Sequence, residues 1–204
     1  MFLAWYSREA IQAALPAGIL AFTLICVFTE LAGYANAFVS QYHGAGDKRG
    51  CARATGQAML LSLFSWPLML ALIPLGRWIL RVSGHAPEVL AAELKYLTIL
   101  MIGSVASALN VAAGSFFTGQ GRTRVIMVAN ICANVANVVL AYAFIFGKWG
   151  FPEMGITGAA LATVISFLVS PAILIALFLS PRIHAEYGSR QAFRMDPQLM
   201  WRMI

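Results

Sequence analysis

The chain has 204 residues, of which 60% are hydrophobic and only 11% are charged, and its mean hydropathy is +0.77. Soluble domains carry about 25% charged residues, so this composition excludes an ordinary soluble protein and indicates several membrane spans. The net charge of +6 does not indicate nucleic-acid binding, because the basic residues lie mostly in short loops between apolar segments.

In chain order, five apolar segments are each long enough for a membrane-crossing helix, which needs about 20 mostly apolar residues. They cover residues 11–41, 54–75, 89–118, 125–147 and 156–180. Connections rich in glycine and proline separate them, the longest being 76–88. The sequence therefore predicts an all-α fold, a polytopic membrane helix bundle with five transmembrane helices.

The end of the chain has a different character. Residues 1–181 form the predicted bundle, and 182–204 begin as a polar segment. Asp196 and Pro197 then supply a helix cap and a first-turn proline, and Leu199, Met200, Met203 and Ile204 begin an apolar face. We expect 182–204 to be a cytoplasmic linker and the start of a further helix. A surface amphipathic helix is the alternative.

Lysine and arginine placement predicts the orientation, since cytoplasmic loops carry the excess of basic residues. We call the side where the chain starts side A and the opposite side, which holds the loop after the first span, side B. Side A receives five basic residues: Arg8, Arg77, Arg81, Lys95 and Lys148. Side B receives nine: Lys48, Arg49, Arg53, Arg122, Arg124, Arg182, Arg190, Arg194 and Arg202. The prediction is that side B, with the C-terminal end, is cytoplasmic. A start on the outer side leads us to expect a preceding helix that this chain lacks.

Three motifs carry a resemblance to a known family. They are FVSQYHGAG (38–46), FFTGQGRTR (116–124) and the helical hairpin NVVLAYAFIFGKWGFPEMGITGAALAT (137–163). In this order and spacing they resemble the N-terminal lobe of multidrug and toxic compound extrusion (MATE) transporters. The resemblance covers about 5–181 and implies that the five spans correspond to helices two to six of a twelve-helix, two-lobe protein. The chain is then a partial N-lobe without the first helix and the C-lobe.

The resemblance also implies a function. Such transporters are secondary antiporters of the cell inner membrane that export organic, often cationic compounds in exchange for H⁺ or Na⁺, by alternating access. No enzymatic chemistry is implied, and no His/Glu, Ser/His or metal cluster is evident in the sequence. We expect no metal and no cofactor besides the coupling ion. The expected partners are membrane lipid, small organic substrates and the rest of the full-length protein, and no nucleic acid.

Glu30 is the first candidate for ion or proton coupling. It lies 11 residues before Gln41, which at about 1.5 Å per residue places it about 16 Å from the end of its helix, near the bilayer midplane. Ionisable groups at that depth are costly and commonly functional. A neutral carboxyl that only joins helices is the alternative.

A polar stripe supplies the other candidates. Asn130, Asn134 and Asn137 follow i, i+4 and i+7 spacing and share one helical face. In many family members the segment matching 137–141 reads Asn-x-x-x-Asp and helps to bind a cation, together with a threonine matched by Thr163. Here Ala141 stands in the aspartate position. Interhelical hydrogen bonding is the alternative role for the asparagines.

Three more residues are candidates for lining a cavity or packing between helices: Asn110, Gln57 and Tyr142. Two further functions remain open at this point. One is a lipid-linked sugar flippase of the same superfamily, which the scarcity of Lys and Arg within the spans disfavours. The other is an inert or structural membrane fragment that does not transport by itself.

Overall fold

The computed structural model describes residues 2–203, and every regular element in that range is helical. Five helical units have the length and hydropathy of membrane spans: Arg8–Gly44, Lys48–Val82, Pro87–Thr118, Thr123–Phe146 and Gly155–Phe178. The first three units are each divided by a local break. This gives α1 (Phe2–Tyr6), α2 (Arg8–Gly33), α3 (Ala35–Gly44), α4 (Lys48–Ala71), α5 (Ile73–Val82), α6 (Pro87–Ile102), α7 (Ser104–Thr118), α8 (Thr123–Phe146) and α9 (Gly155–Phe178).

Helix termini follow the local chemistry of the sequence. The Ser7 hydroxyl accepts a hydrogen bond of 3.0 Å from the Ala10 amide at the start of α2, and the Asp47 carboxylate accepts one of 2.8 Å from the Gly50 amide at the start of α4. These caps satisfy amides that a helix leaves unpaired. Because Asp47 caps so early, the basic segment after it is helical, and the second unit is longer than predicted.

The predicted connection 76–88 is helical as far as Val82. Gly76 and Leu80 are buried, while Trp78 and Val82 are exposed. This amphipathic pattern holds α5 against α2 and α6 at the side A end of the bundle.

The hairpin between α8 and α9 is tight. Gly147 ends α8 with φ of +62°, a left-handed conformation that favours glycine, and the Met154 amide donates a 3.0 Å hydrogen bond back to the Phe144 carbonyl. A side chain at Gly158 would place its Cβ 2.6 Å from the Phe144 carbonyl oxygen. The two helices therefore pack with their backbones close together, as small residues allow in membranes.

Two groups of buried side chains hold the bundle together. The one towards side B includes Met59, Phe116, Leu174 and Phe178. The one towards side A includes Ala17, Leu80, Leu97 and Met101. Many other large apolar side chains of the spans are exposed on the isolated chain, which is the distribution that lipid contact requires.

After α9 the chain folds back on side B. It forms α10 (Pro181–Tyr187), a 3₁₀ turn (Ser189–Gln191) and α11 (Pro197–Met203). Leu199 and Met203 are buried against the bundle, and Trp201 is exposed. A 2.8 Å ion pair joins Lys48 to Glu186, and this lysine holds the pKa of Glu186 below its usual value. Residues 182–203 thus rest on the lobe, and Ile204 lies outside the described residues.

Candidate functional site

A cavity of about 720 Å³ opens in the middle of the bundle. Helix α2 packs against α6 and α7, and α8 packs mainly against α9, so α2 and α8 form opposite walls. Its polar lining residues are Thr29, Glu30, Tyr96, Ser107, Asn110, Asn130, Asn134, Asn137, Thr163, Ser166 and Ser170. Apolar and aromatic side chains, among them Phe22 and Phe167, complete the wall.

Glu30 lies on the α2 wall and is the one charged side chain among the described residues that line the cavity. Its side chain is exposed in the cavity rather than buried between helices. Among residues 2–203 it forms neither a side-chain hydrogen bond nor an ion pair with the protein. A carboxylate in this position is available to a cation, a proton or a substrate.

The asparagine stripe lies on the opposite wall, where Asn130, Asn134 and Asn137 all line the cavity. The Asn134 side-chain amide donates a 2.9 Å hydrogen bond to the Asn130 backbone carbonyl of its own helix. The side chain of Asn137 is half-buried. The amides therefore present polar groups to the cavity about one helical turn apart.

A hydrogen-bonded node joins three helices at the cavity wall. The Ser170 Oγ of α9 lies 2.7 Å from the side-chain oxygen of Asn110 on α7 and 2.8 Å from that of Asn130 on α8. A hydroxyl carries one hydrogen, so the Ser170 hydroxyl shares it between the two amide oxygens. Asn110 and Asn130 are thus fixed in orientation while they line the cavity.

Thr163 also lines the cavity, in the same wall region as Asn137. Its hydroxyl donates a 2.9 Å hydrogen bond to the Ala159 carbonyl, and Tyr96 of α6 lines the same cavity. The structure therefore brings the candidates Glu30, Asn137 and Thr163 to one cavity. Ala141 is outside its lining and packs with Leu140, Ala143 and Ala162.

Two sequence candidates lie elsewhere. Gln57 is fully buried in α4, where its side-chain amide donates hydrogen bonds of 3.2 Å and 2.7 Å to the carbonyls of Ala192 and Arg194 and accepts one of 3.0 Å from the Asp196 amide. Tyr142 is part of an aromatic group at the side A end with Phe146 and Trp149. Neither residue is among the side chains that line the cavity.

The sequence interpretation did not select Tyr96, Ser170 or Glu93. Tyr96 and Ser170 line the cavity. The partners of Ser170 are 60 and 40 residues away, and the place of Tyr96 depends on which helices surround α6, so local spacing gives no signal for either residue. Glu93 is fully buried. Its position four residues before Leu97 and eight before Met101 places it on the buried face of α6, and this periodicity was the available signal.

Five membrane-length apolar helices around a polar cavity make the chain a multi-pass integral membrane protein. The MatE family model matches residues 1–143, and the chain belongs to this family, whose members are transporters and not enzymes. The family resemblance and the fold class predicted from the sequence are thereby confirmed.

Individual relatives agree with this assignment. A Thermotoga maritima protein named "Probable multidrug resistance protein NorM" is 29% identical over 174 residues, which are 85% of this chain and 38% of the relative. A solved structure described as the outward-facing conformation of a multidrug resistance MATE family transporter of the MOP superfamily matches with a TM-score of 0.82 at 19% identity, over 98% of this chain and 44% of that chain. The corresponding inward-facing structure gives 0.78 at 20% identity, over 96% and 43%. This chain spans about two-fifths of the length of these relatives.

Proposed function

We propose that this lobe is part of a secondary antiporter that exports organic, often cationic compounds across the membrane in exchange for H⁺ or Na⁺. The carrying observation is the cavity of about 720 Å³ with a single carboxylate, Glu30, in its wall. Its volume falls in the range of small-molecule sites, about 300–1,000 Å³.

The lining suits an organic cation. Aromatic rings from Phe22, Tyr96 and Phe167 face the same space as Glu30, and a cation is attracted both by aromatic faces and by a carboxylate. The amides of the asparagine stripe offer donors and acceptors without adding charge. A substrate cation and a coupling ion would then compete for one carboxylate, and this competition is the basis of exchange.

The coupling mechanism follows from Glu30. When the ion or proton is bound there, the cavity is neutral and its attraction for a cation is weak. When the carboxylate is free, the attraction returns. Asn137 and Thr163 supply neutral oxygen ligands that would support Na⁺ or orient a hydronium ion, and Ala141 leaves the expected aspartate absent from the opposite wall. We therefore assign coupling in this lobe to Glu30.

Alternating access requires a partner for the lobe. The similar structures are described as inward-facing and outward-facing states of a longer transporter, of which this chain matches less than half. We propose that the lobe moves as a unit against a second lobe, with the cavity facing each side in turn. The excess of basic residues on side B supports a cytoplasmic side B and C-terminal end, and the bacterial origin of the similar proteins supports an inner membrane as the location.

A drug-accumulation assay tests the proposal. The complete gene product is expressed in efflux-deficient cells, and accumulation of a panel of cationic dyes is followed with and without an energy source. We expect lower accumulation that depends on the ion gradient. No energy-dependent export across the panel would overturn the proposal, and binding of a lipid-linked oligosaccharide by the purified protein would favour a flippase instead.

The inert-fragment alternative has its own test. The 204-residue chain is reconstituted in liposomes and assayed for dye uptake under an imposed gradient. We expect no transport, because alternating access needs two lobes. Transport by the isolated chain would show that this lobe is sufficient and would contradict the two-lobe requirement.

A further inference from the structure

A second carboxylate, which does not line the cavity, is buried towards the side A end of α6. The Glu93 side chain is completely inaccessible to solvent, and its Oε1 lies 2.8 Å from Nδ1 of His85. Its other oxygen, Oε2, is buried without a hydrogen-bond partner in the described part of the chain. Buried carboxylate oxygens normally have hydrogen-bond partners, so the unpaired Oε2 of Glu93 is unusual.

The partner connects this carboxylate to the solvent. His85 lies in the loop between α5 and α6, and 36% of its side chain is exposed. With one proton the pair is either a carboxylate and an imidazolium or a carboxylic acid and a neutral imidazole. With none, Glu93 is a buried anion without compensation, which is costly. The geometry therefore favours a pair that holds a proton and exchanges it through the ring of His85.

Other charged groups at this end do not neutralise Glu93. They are Arg8 and Glu9 of α2, Arg77 and Arg81 of α5, Glu88 and Lys95 of α6 itself, and Lys148 and Glu153 of the connection between α8 and α9. Among residues 2–203 none of the basic ones lies within 4 Å of a Glu93 oxygen. Helices α7 and α9 have no charged residue, and those of α4 are at its side B end.

Glu93 is also close in sequence to a residue that lines the cavity. It lies three residues before Tyr96, which lines the cavity. Residues three apart are neighbours on a helix surface. A proton held at Glu93 is thus about one helical turn from the first cavity residue of α6.

We propose that His85 and Glu93 form a proton-binding site at the side A end of the lobe, where protons from that side enter. The role in coupling rests on the proposed antiport and on side A being the outer side. The binding of a proton by the pair depends on neither. The site differs from Glu30 in being buried and in exchanging protons through a histidine.

Infrared difference spectra between acid and neutral pH test the site on the complete protein. We expect a protonated-carboxyl band that is lost in Glu93→Gln and kept in Glu88→Gln, an exposed carboxylate on the same helix. In His85→Asn the band should persist to higher pH, because the buried carboxylate loses the ring that pairs with it. Glu93→Gln keeps the shape of the side chain, and elution as a single species checks its fold.

Two results would overturn the proposal: the absence of any band that Glu93→Gln removes, or a Glu93 band that His85→Asn does not move. Gradient-driven export measured with the same variants is a separate readout. If the band behaves as expected but no variant or wild-type protein exports, the proton site stands and the proposed antiport fails. If wild type exports and Glu93→Gln exports equally at every outer pH, the coupling role is wrong.

Discussion

At the scale of single residues, Ser170 links three helices through one hydroxyl group. Its hydroxyl is the only described link between the side chains of Asn110 and Asn130, and so it joins α7, α8 and α9. Ser170→Ala removes both hydrogen bonds and leaves two amides to find other partners. Interhelical bonds of this kind are worth about 0.6–2 kcal/mol, and we expect a loss of stability of that size.

The measurement is the unfolding midpoint of the purified protein in detergent. Ser166→Ala is the matched control, because Ser166 is on the same helix, is equally buried, and donates only to the Ala162 carbonyl of its own helix. An equal effect of the two substitutions would show that the node contributes nothing beyond the loss of a hydroxyl.

The asparagine stripe shows which residues of the cavity could be predicted from the sequence. Asn130, Asn134 and Asn137 could be placed on one face because helical periodicity is a local property, and the structure puts all three in the cavity. Ser170 and Tyr96 could not be found in this way, since their roles depend on which helices become neighbours. Gln57 looked like a candidate for the cavity because it is polar within a span, but its partners lie about 135 residues later.

At the scale of helices, close packing of α8 and α9 depends on Gly158. In Gly158→Ala the added methyl group would lie 2.6 Å from the Phe144 carbonyl oxygen, so the backbones must move apart. Overpacking of this type costs about 1–3 kcal/mol, and we expect a lower unfolding midpoint. Gly114→Ala is the control, since its nearest contact is an ordinary 3.8 Å to Ile126 and alanine favours helix. Equal midpoints for the two variants would contradict the tight contact.

A second prediction at this scale concerns the chain after α9. Gln57→Leu removes the three hydrogen bonds that hold residues 192–196 against α4, each worth about 0.5–1.5 kcal/mol. Hydrogen exchange of residues 189–203 should become faster while that of α4 is unchanged. Thr55→Val is the control, because the Thr55 hydroxyl bonds only to Cys51 in its own helix. Unchanged exchange in Gln57→Leu would show that apolar burial of Leu199 and Met203 is sufficient.

The helices themselves were predictable to different degrees. Long apolar segments marked all five spans, because hydropathy is summed over many residues. Their ends differ from the prediction where a cap or an amphipathic pattern extends the helix into charged sequence, as after Asp47 and as far as Val82. The break at Leu72 has a local signal in Pro74, at the start of α5. The break at Gly103 depends on a close neighbour, since a Cβ there would be 2.5 Å from Val164.

At the scale of the whole molecule, the lobe combines a lipid-facing surface, a polar cavity and two carboxylates in different environments. Glu30 is open to the cavity, and Glu93 is buried towards side A. Similar structures are described as inward-facing and outward-facing forms, and our proposal is that this lobe moves as a unit that carries its own coupling group. In our proposal, Glu30 carries the coupling step and protons enter at Glu93.

The central claim is that Glu30 couples ion movement to export. The direct measurement is gradient-driven transport of a cationic dye by the complete protein in proteoliposomes, with Glu30→Gln compared with Glu9→Gln, a carboxylate in the first turn of the same helix. We expect coupled transport to fall by at least about tenfold in Glu30→Gln, equivalent to about 1.4 kcal/mol, and to be unchanged in Glu9→Gln. Transport by Glu30→Gln at the wild-type rate and with the same dependence on the gradient would contradict the claim.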